Sequence, residues 1–406
     1  MRVIDCGTLI DGVSDEALDE HRIVVDDGEI LEVGPTADVD APADATHVDH
    51  TGETVIPGLV DAHLHLGGNR SMDPFDWLKD SSELGTARAT ADLRKLLSAG
   101  FTAVRDVGSD TGLALRAAVE EGSIPGPRVY TSGQSISQTA GHGDNHYLPY
   151  QWVAGEEGIS SLADGEDECR KEARKRIREG VDLIKIMTTG GVLSEKDAPD
   201  QSQFTDAEIR AFTEEAHRVG IPVASHAQGG PGIKSALRNG VDTIEHGFYL
   251  DEEAIDLMKE TDATFVPTLA IMHRLVTLGS DHGVPDYGLE KARTARDAHF
   301  DAVKRAYEAD VPIALGTDFL GPELVPHGEN AMEAELFVEE VGMSEMDAIR
   351  AGTSVAARTV PDDDLGAIEA GNRADLVALD GNPLDDISVL REGVNAVYRG
   401  GEAVDL

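Results

Sequence analysis

The amino-acid sequence predicts an α/β protein: a (β/α)8 TIM-like barrel over residues 57–356, with a small β-sandwich domain assembled from both ends of the chain, 1–56 and 357–406. Three observations predict it. Both termini carry β-branched runs punctuated by Asp-Gly and Gly-Pro, without a helical period. The middle alternates short apolar runs with amphipathic segments that often stop at Gly. Eight such runs occur over ~300 residues, the alternation a parallel barrel needs within a span it can absorb as one domain. A doubly wound open sheet is the alternative built from the same ingredients.

The elements follow in order. "RVIDCGTLIDG", "HRIVVDDGEILEVGP" and "ATHVDHTGETVIPG" read as strands and turns of the first β segment. Barrel strands are predicted over 54–66, 102–107, 128–133, 183–189, 222–227, 243–247, 264–269 and 313–319. Between them, "FTDAEIRAFTEEAHRVG" opens on Thr205 as N-cap with Glu208 three residues later, a capping box, and stops at Gly220. "ATADLRKLLSAG" stops at Gly100 and "CRKEARKRIREG" at Gly180. "GAIEAGNRADLVALDGNP" and "VNAVYRGGEAVDL" supply the C-terminal strands.

Composition narrows the function. Hydrophobic residues are 40% but aromatics only 4%, so the core is built mainly from Ala, Val, Leu and Ile. There are 77 acids against 34 Lys plus Arg, a formal net charge of −43. Nucleic-acid binding needs a basic face that this chain lacks, and an anionic membrane surface would repel it. The acids are spread through the predicted helices, which suits molar salt, where a Debye length of ~3 Å screens self-repulsion. This fits a haloarchaeal source. Cys6 and Cys169 match no metal or redox spacing, as expected in a reducing cytoplasm. The N-terminus has no apolar signal core, and no run approaches the ~18 apolar residues of a membrane span. The expectation is a soluble cytoplasmic protein acting on a small molecule; homo-oligomerisation is left open.

"VDAHLHLGG" places His63 and His65 on one face at the end of the first barrel strand, where barrel enzymes put their chemistry. His226 ends "PVASHA", His246 ends "TIEHG" and Asp318 ends "IALGTD". Lys185 interrupts the apolar run "LIKIM", a costly place for an isolated ammonium. A closed barrel would bring these strand ends together. Imidazole and carboxylate donors suit Zn2+, and also Mn2+ or Fe2+. A buried, deprotonated lysine can take up CO2 as a carbamate able to bridge two ions.

This set, at the ends of the first, fourth, fifth, sixth and eighth predicted strands, resembles the amidohydrolase superfamily over nearly the whole chain. "VIPGLVDAHLHL" is similar to its opening motif and "GAIEAGNRADLVALDGNPL" to its C-terminal sheet segment. The resemblance implies a binuclear hydrolase in which His63, His65 and Asp318 hold the more buried metal, His226 and His246 the more exposed one, and carboxylated Lys185 bridges them. Asp318 would also shuttle the catalytic proton. "IKIMTTGGVLSEKDAPDQSQFTDAEI", "SHAQG", "TIEHGFYLD" and "SISQTAGHGD" resemble the imidazolonepropionase-related branch, which includes prolidase-like dipeptidases. That likeness implies substrate contacts from His142 (with His146 a competitor) and Tyr249.

The implied activity is hydrolysis of an amide in a dipeptide or N-acyl amino acid. The alternatives are a cyclic amidase or deaminase acting on a ring such as an imidazolone, which Lys185 counts against, and a non-catalytic scaffold, which the filled ligand set counts against. Arg70, Trp77, His273 and Arg274 are candidates to line the pocket, and Gly190–Gly191 reads as a turn able to approach substrate. The three successive aspartates Asp362, Asp363 and Asp364 read as surface acidity.

Overall fold

The computed structural model describes residues 1–154 and 160–405; residues 155–159 of the expected barrel segment and Leu406 of the expected terminal segment lie outside them. Its strands, in chain order, are β1 (Arg2–Leu9), β2 (Leu18–Asp26), β3 (Glu29–Pro35), β4 (Thr46–Pro57), β5 (Leu59–Leu64), β6 (Phe101–Asp106), β7 (Arg128–Thr131), β8 (Ile136–Ser137), β9 (Ser161–Leu162), β10 (Ile184–Met187), β11 (Val223–Ala227), β12 (Thr243–His246), β13 (Thr264–Val266), β14 (Leu376–Leu379), β15 (Val394–Arg399) and β16 (Glu402–Ala403).

The termini meet in one seven-stranded sheet of order β16-β15-β14-β4-β1-β2-β3. Only the β1–β4 pair is parallel. Asp27 and Gly28, both at positive φ, close the β2–β3 hairpin, the geometry that favours Asp-Gly in a two-residue turn. Ile4, Leu9, Ile23, Ile30, Leu376 and Tyr398 form this sheet's own apolar cluster.

The remaining strands are parallel and form two sheets, β5-β6-β7 and β13-β12-β11-β10-β8-β9. Strands β5, β6, β11 and β12 are buried at every position, the pattern of parallel strands covered on both faces. Segment 313–319 touches both sheets. It bridges β13 at Ile313 and β5 at Phe319, and Leu315 accepts from the Ala62 N–H at 2.8 Å. The hydrogen-bonded ladders do not join into one closed barrel, so the expected continuous ring is replaced by two sheets linked through this irregular segment.

Other differences have local causes. The strand expected over 54–66 is two, because the chain turns at Gly58 to leave the terminal sheet. A Cβ there would lie 2.0 Å from Thr102 Oγ1. The strand expected over 264–269 ends at Val266, because Thr268 takes a left-handed φ of 59° and a helix begins at Leu269. The capping box forms as expected: the Thr205 side chain accepts from the Glu208 N–H, while Glu208 accepts from the Thr205 N–H. Asp363 is exposed as expected, but Asp362 and Asp364 are more than surface acidity. Asp362 accepts from Tyr130 Oη at 2.7 Å, and Arg373 joins Asp362 and Asp364 at 2.8 Å each, which ties the C-terminal segment to β7. Among the described residues, no helix is long and apolar enough to cross a membrane.

Candidate metal centre

The six expected ligands line one cleft of about 250 Å³ at the C-terminal ends of the parallel strands. His63 lies in β5 and His65 just beyond it; Lys185 lies in β10, His226 in β11, and His246 closes β12. Asp318 stands between the two bridges of the 313–319 segment. His246 and Asp318 have φ of 73° and 57°, left-handed values that are rare outside glycine. His246 ends β12 with a sharp turn, and Asp318 makes a second one within the irregular segment, just before the bridge at Phe319. Such strain persists only where surrounding contacts hold it. For Asp318, its own N–H donates to the His63 carbonyl at 2.7 Å, and Asp61 grips the preceding Thr317 hydroxyl at 2.7 Å. Asp61 also accepts from the His63 N–H at 2.9 Å and from Asn330 at 2.6 Å.

Hydrogen bonds fix which ring nitrogen faces the cleft. His63 Nδ1 lies 2.6 Å from Glu245 Oε2, and His65 Nδ1 lies 2.9 Å from the Gly108 carbonyl. Their Nε2 atoms stand 3.5 and 3.0 Å from Asp318 Oδ1. His246 Nδ1 meets Thr268 Oγ1 at 2.8 Å, and His226 Nε2 meets the Gly190 carbonyl at 3.2 Å. That leaves His246 Nε2 and His226 Nδ1 for a ligand. Partners of this kind set imidazole tautomer and orientation at metal sites.

The electrostatics suit cations. Burial pushes the pKa values of His226 and His246 well below the usual range, so both imidazoles are neutral, which is the ligating form. Burial also lowers the Lys185 amine to about 8, against the pull of Glu245 and Asp318. Burial opposes ionisation of Asp318, yet His63 and His65 hold its carboxyl well below the ordinary value. The donor set therefore fits divalent metal ions. His63, His246 and Asp318 can each offer one ligand atom, all within 4.8 Å of one another. His246 stands between the two expected ligand groups, with ring centroids 5.0 Å from His63 and 4.6 Å from His226.

Behind the ligands runs a buried network that the sequence reading did not assign. Glu245 and Arg105 are both fully buried and pair at 2.8 Å, and Arg105 also donates to Thr243 and to the Ala62 carbonyl. Glu333, also fully buried, accepts from the Leu269 and Ala270 N–H groups at 2.7 and 2.6 Å. It thereby holds the turn that carries Thr268. Arg105 and Glu245 carry the same signal that singled out Lys185, a charge inside an apolar strand.

The expected substrate contacts separate. His142 lines the cleft, stacks on His226 with centroids 4.1 Å apart, and places Nδ1 3.1 Å from Ser194 Oγ. His146 and Trp77 line the same cleft. Tyr249 is not brought in. The left-handed turn at His246 and Gly247 sends Phe248 into the cleft, and Tyr249 falls on the outer side, 36% exposed. Arg70 is drawn off to Asp92 at 2.8 Å, and His273 and Arg274 do not line the cleft. The Gly190–Gly191 turn supports the site directly: Gly190 supplies the carbonyl for His226, and a Cβ on Gly191 would lie 2.2 Å from the His142 ring.

The model of the Amidohydrolase family matches residues 54–404. An ochratoxinase from Aspergillus niger is 35% identical, over 98% of this chain and 86% of its own length. The crystal structure of a prolidase complexed with N-methylphosphonate-L-proline superposes with a TM-score of 0.91 at 35% identity, covering 99% of each chain. An imidazolonepropionase from Cutibacterium acnes is 28% identical over 88% of this chain and 83% of its own.

Proposed function

The chain belongs to the amidohydrolase family and hydrolyses carbon–nitrogen bonds, and on that premise we propose that it cleaves the amide of a dipeptide or N-acyl amino acid at a two-metal centre. The observation that carries the reading is the convergence of four imidazoles, a lysine and an aspartate on one cleft. In this reading His63, His65 and Asp318 hold one ion, His226 and His246 hold the second, and Lys185 bridges them as a carbamate. Zn2+ is the first choice, with Mn2+ or Fe2+ as substitutes. Such ions, when bound, make hydroxide available near neutral pH and polarise a carbonyl. The neutral Lys185 amine adds to CO2 and releases one proton to form the carbamate. The Asp318 carboxylate takes the proton of the attacking water and passes it to the departing nitrogen. His142, beside His226, orients the substrate's free carboxylate. The apolar walls of the cleft exclude bulk water from these groups.

The two parallel sheets and segment 313–319 are read as arcs of one (β/α)8 barrel over 57–356, with 1–56 and 357–406 as its companion domain. The dispersed acidity supports a cytoplasmic protein of a high-salt, haloarchaeal cell. Similarity to an imidazolonepropionase favours a second reading, a cyclic amide substrate at a one-metal site. Metal analysis of protein purified in high salt, with a turnover screen of Xaa-Pro dipeptides, N-acyl amino acids and an imidazolone, tests both. Two ions per chain with turnover of an acyclic amide is the expected result. One ion with ring opening favours the second reading, and a metal-free protein inert on the whole panel refutes both.

A further inference from the structure

A second cavity, of about 420 Å³, opens beside the metal cleft. The two share His65, Trp77, Gly143, Asn145, Tyr147 and Leu320, so they communicate at the first-strand end of the candidate centre. Their linings differ in kind. The outer wall of the cleft is apolar, formed by Leu193, Phe248, Ile271, Met272 and Leu275. The second cavity mixes the apolar faces of Trp77, Leu78 and Leu320 with a larger share of hydroxyls and amides, among them Ser81, Ser82, Ser135 and Gln134. Its two acids do little to charge it: Asp80 pairs with Arg88, and Asp110 is solvent-exposed.

We infer that this cavity is a subsite for an uncharged, hydrogen-bonding extension of the substrate. The apolar cleft wall receives an aliphatic or aromatic group from the other side of the scissile bond. The preferred substrate is then an amide with unlike halves, one apolar and one carrying hydroxyl or carboxamide function. This rests on the amide-hydrolase reading and names the substrate class within it. Acidic extensions meet no lysine or arginine in the lining, and apolar ones would leave its hydroxyls without a partner.

The test is a panel read as kcat/KM on the metal-loaded enzyme: N-acetyl-phenylalanine, and acetylated dipeptides pairing Phe with Asn, Ser, Leu, Asp or Lys in both orders. Asn and Ser partners should exceed Leu, Asp and Lys partners by about tenfold in one order, the discrimination expected of one hydrogen bond. Ser135→Leu, at a half-buried hydroxyl of the cavity wall, should bring that ratio towards one. Ser82→Phe, at an exposed helix start where folding is not at risk, should do the same by filling the cavity mouth. A ratio unchanged in both variants, or Leu, Asp or Lys partners equal or better in both orders, overturns the subsite. No turnover of any member, N-acetyl-phenylalanine included, overturns the amide reading instead.

Discussion

Replacing Glu245 with glutamine changes one atom in a side chain with no exposure, and the structure predicts two separate losses. The first is stability. Glu245 is the only carboxylate that pairs with Arg105 among the described residues, at 2.8 Å. Burial would raise the Glu245 pKa, but Arg105 and His63 together hold it below the carboxylate range, so the native pair is ionised. Neutralising one partner of a buried ion pair typically costs about 3–5 kcal/mol, because the other charge stays buried. The second loss is metal affinity. Glu245 Oε2 accepts from His63 Nδ1–H and leaves His63 Nε2 free on the cleft side. A glutamine amide that keeps its oxygen on Arg105 turns its NH2 towards His63 Nδ1. That favours the other tautomer, with hydrogen on Nε2, and should weaken metal binding by about 10–100-fold. Urea unfolding of the metal-free protein reads the first effect, and metal titration of the folded protein reads the second. A double variant, Glu245→Leu with Arg105→Met, separates them. It removes both charges, so stability should recover while metal binding stays weak. Wild-type stability together with wild-type metal affinity in Glu245→Gln would refute the network's role.

Three further outcomes follow from the same geometry. Asp318→Asn should lower kcat by at least about 100-fold while the metal-free protein unfolds as wild type does; near-normal turnover would remove Asp318 as the proton carrier. Lys185→Ala should lose metal and regain part of its activity with added acetate or formate, and a variant that keeps both ions unaided rules out a bridging carbamate. Glu215, held to about 2 against its usual 4.5 by Arg174 first and by Arg170 and Arg218 as well, sets an acid limit. Its folded pKa is depressed, so its stabilisation is complete above 4.5 and is lost as pH falls towards about 2. Glu215→Gln should flatten the unfolding midpoint across that window, and an unchanged acid limb would show that the arginine cluster contributes nothing.

The sequence by itself determined whatever depends on neighbours along the chain. Runs of apolar residues marked the parallel strands, Thr205 and Glu208 marked a helix start, and period-two spacing put His63 and His65 on one face. The donors were legible because a charged or imidazole side chain at the end of an apolar strand is expensive wherever it occurs. The tertiary structure alone decided what those groups meet. Glu245 reaches Arg105 across 140 positions of sequence, and Asp61 reaches Asn330 across 269. No local pattern encodes such partners, because they are set by the register of one strand against another. The same holds for Phe248 and Tyr249: the left-handed turn at His246 decides which ring enters the cleft, and that turn exists because the surrounding packed strands hold it.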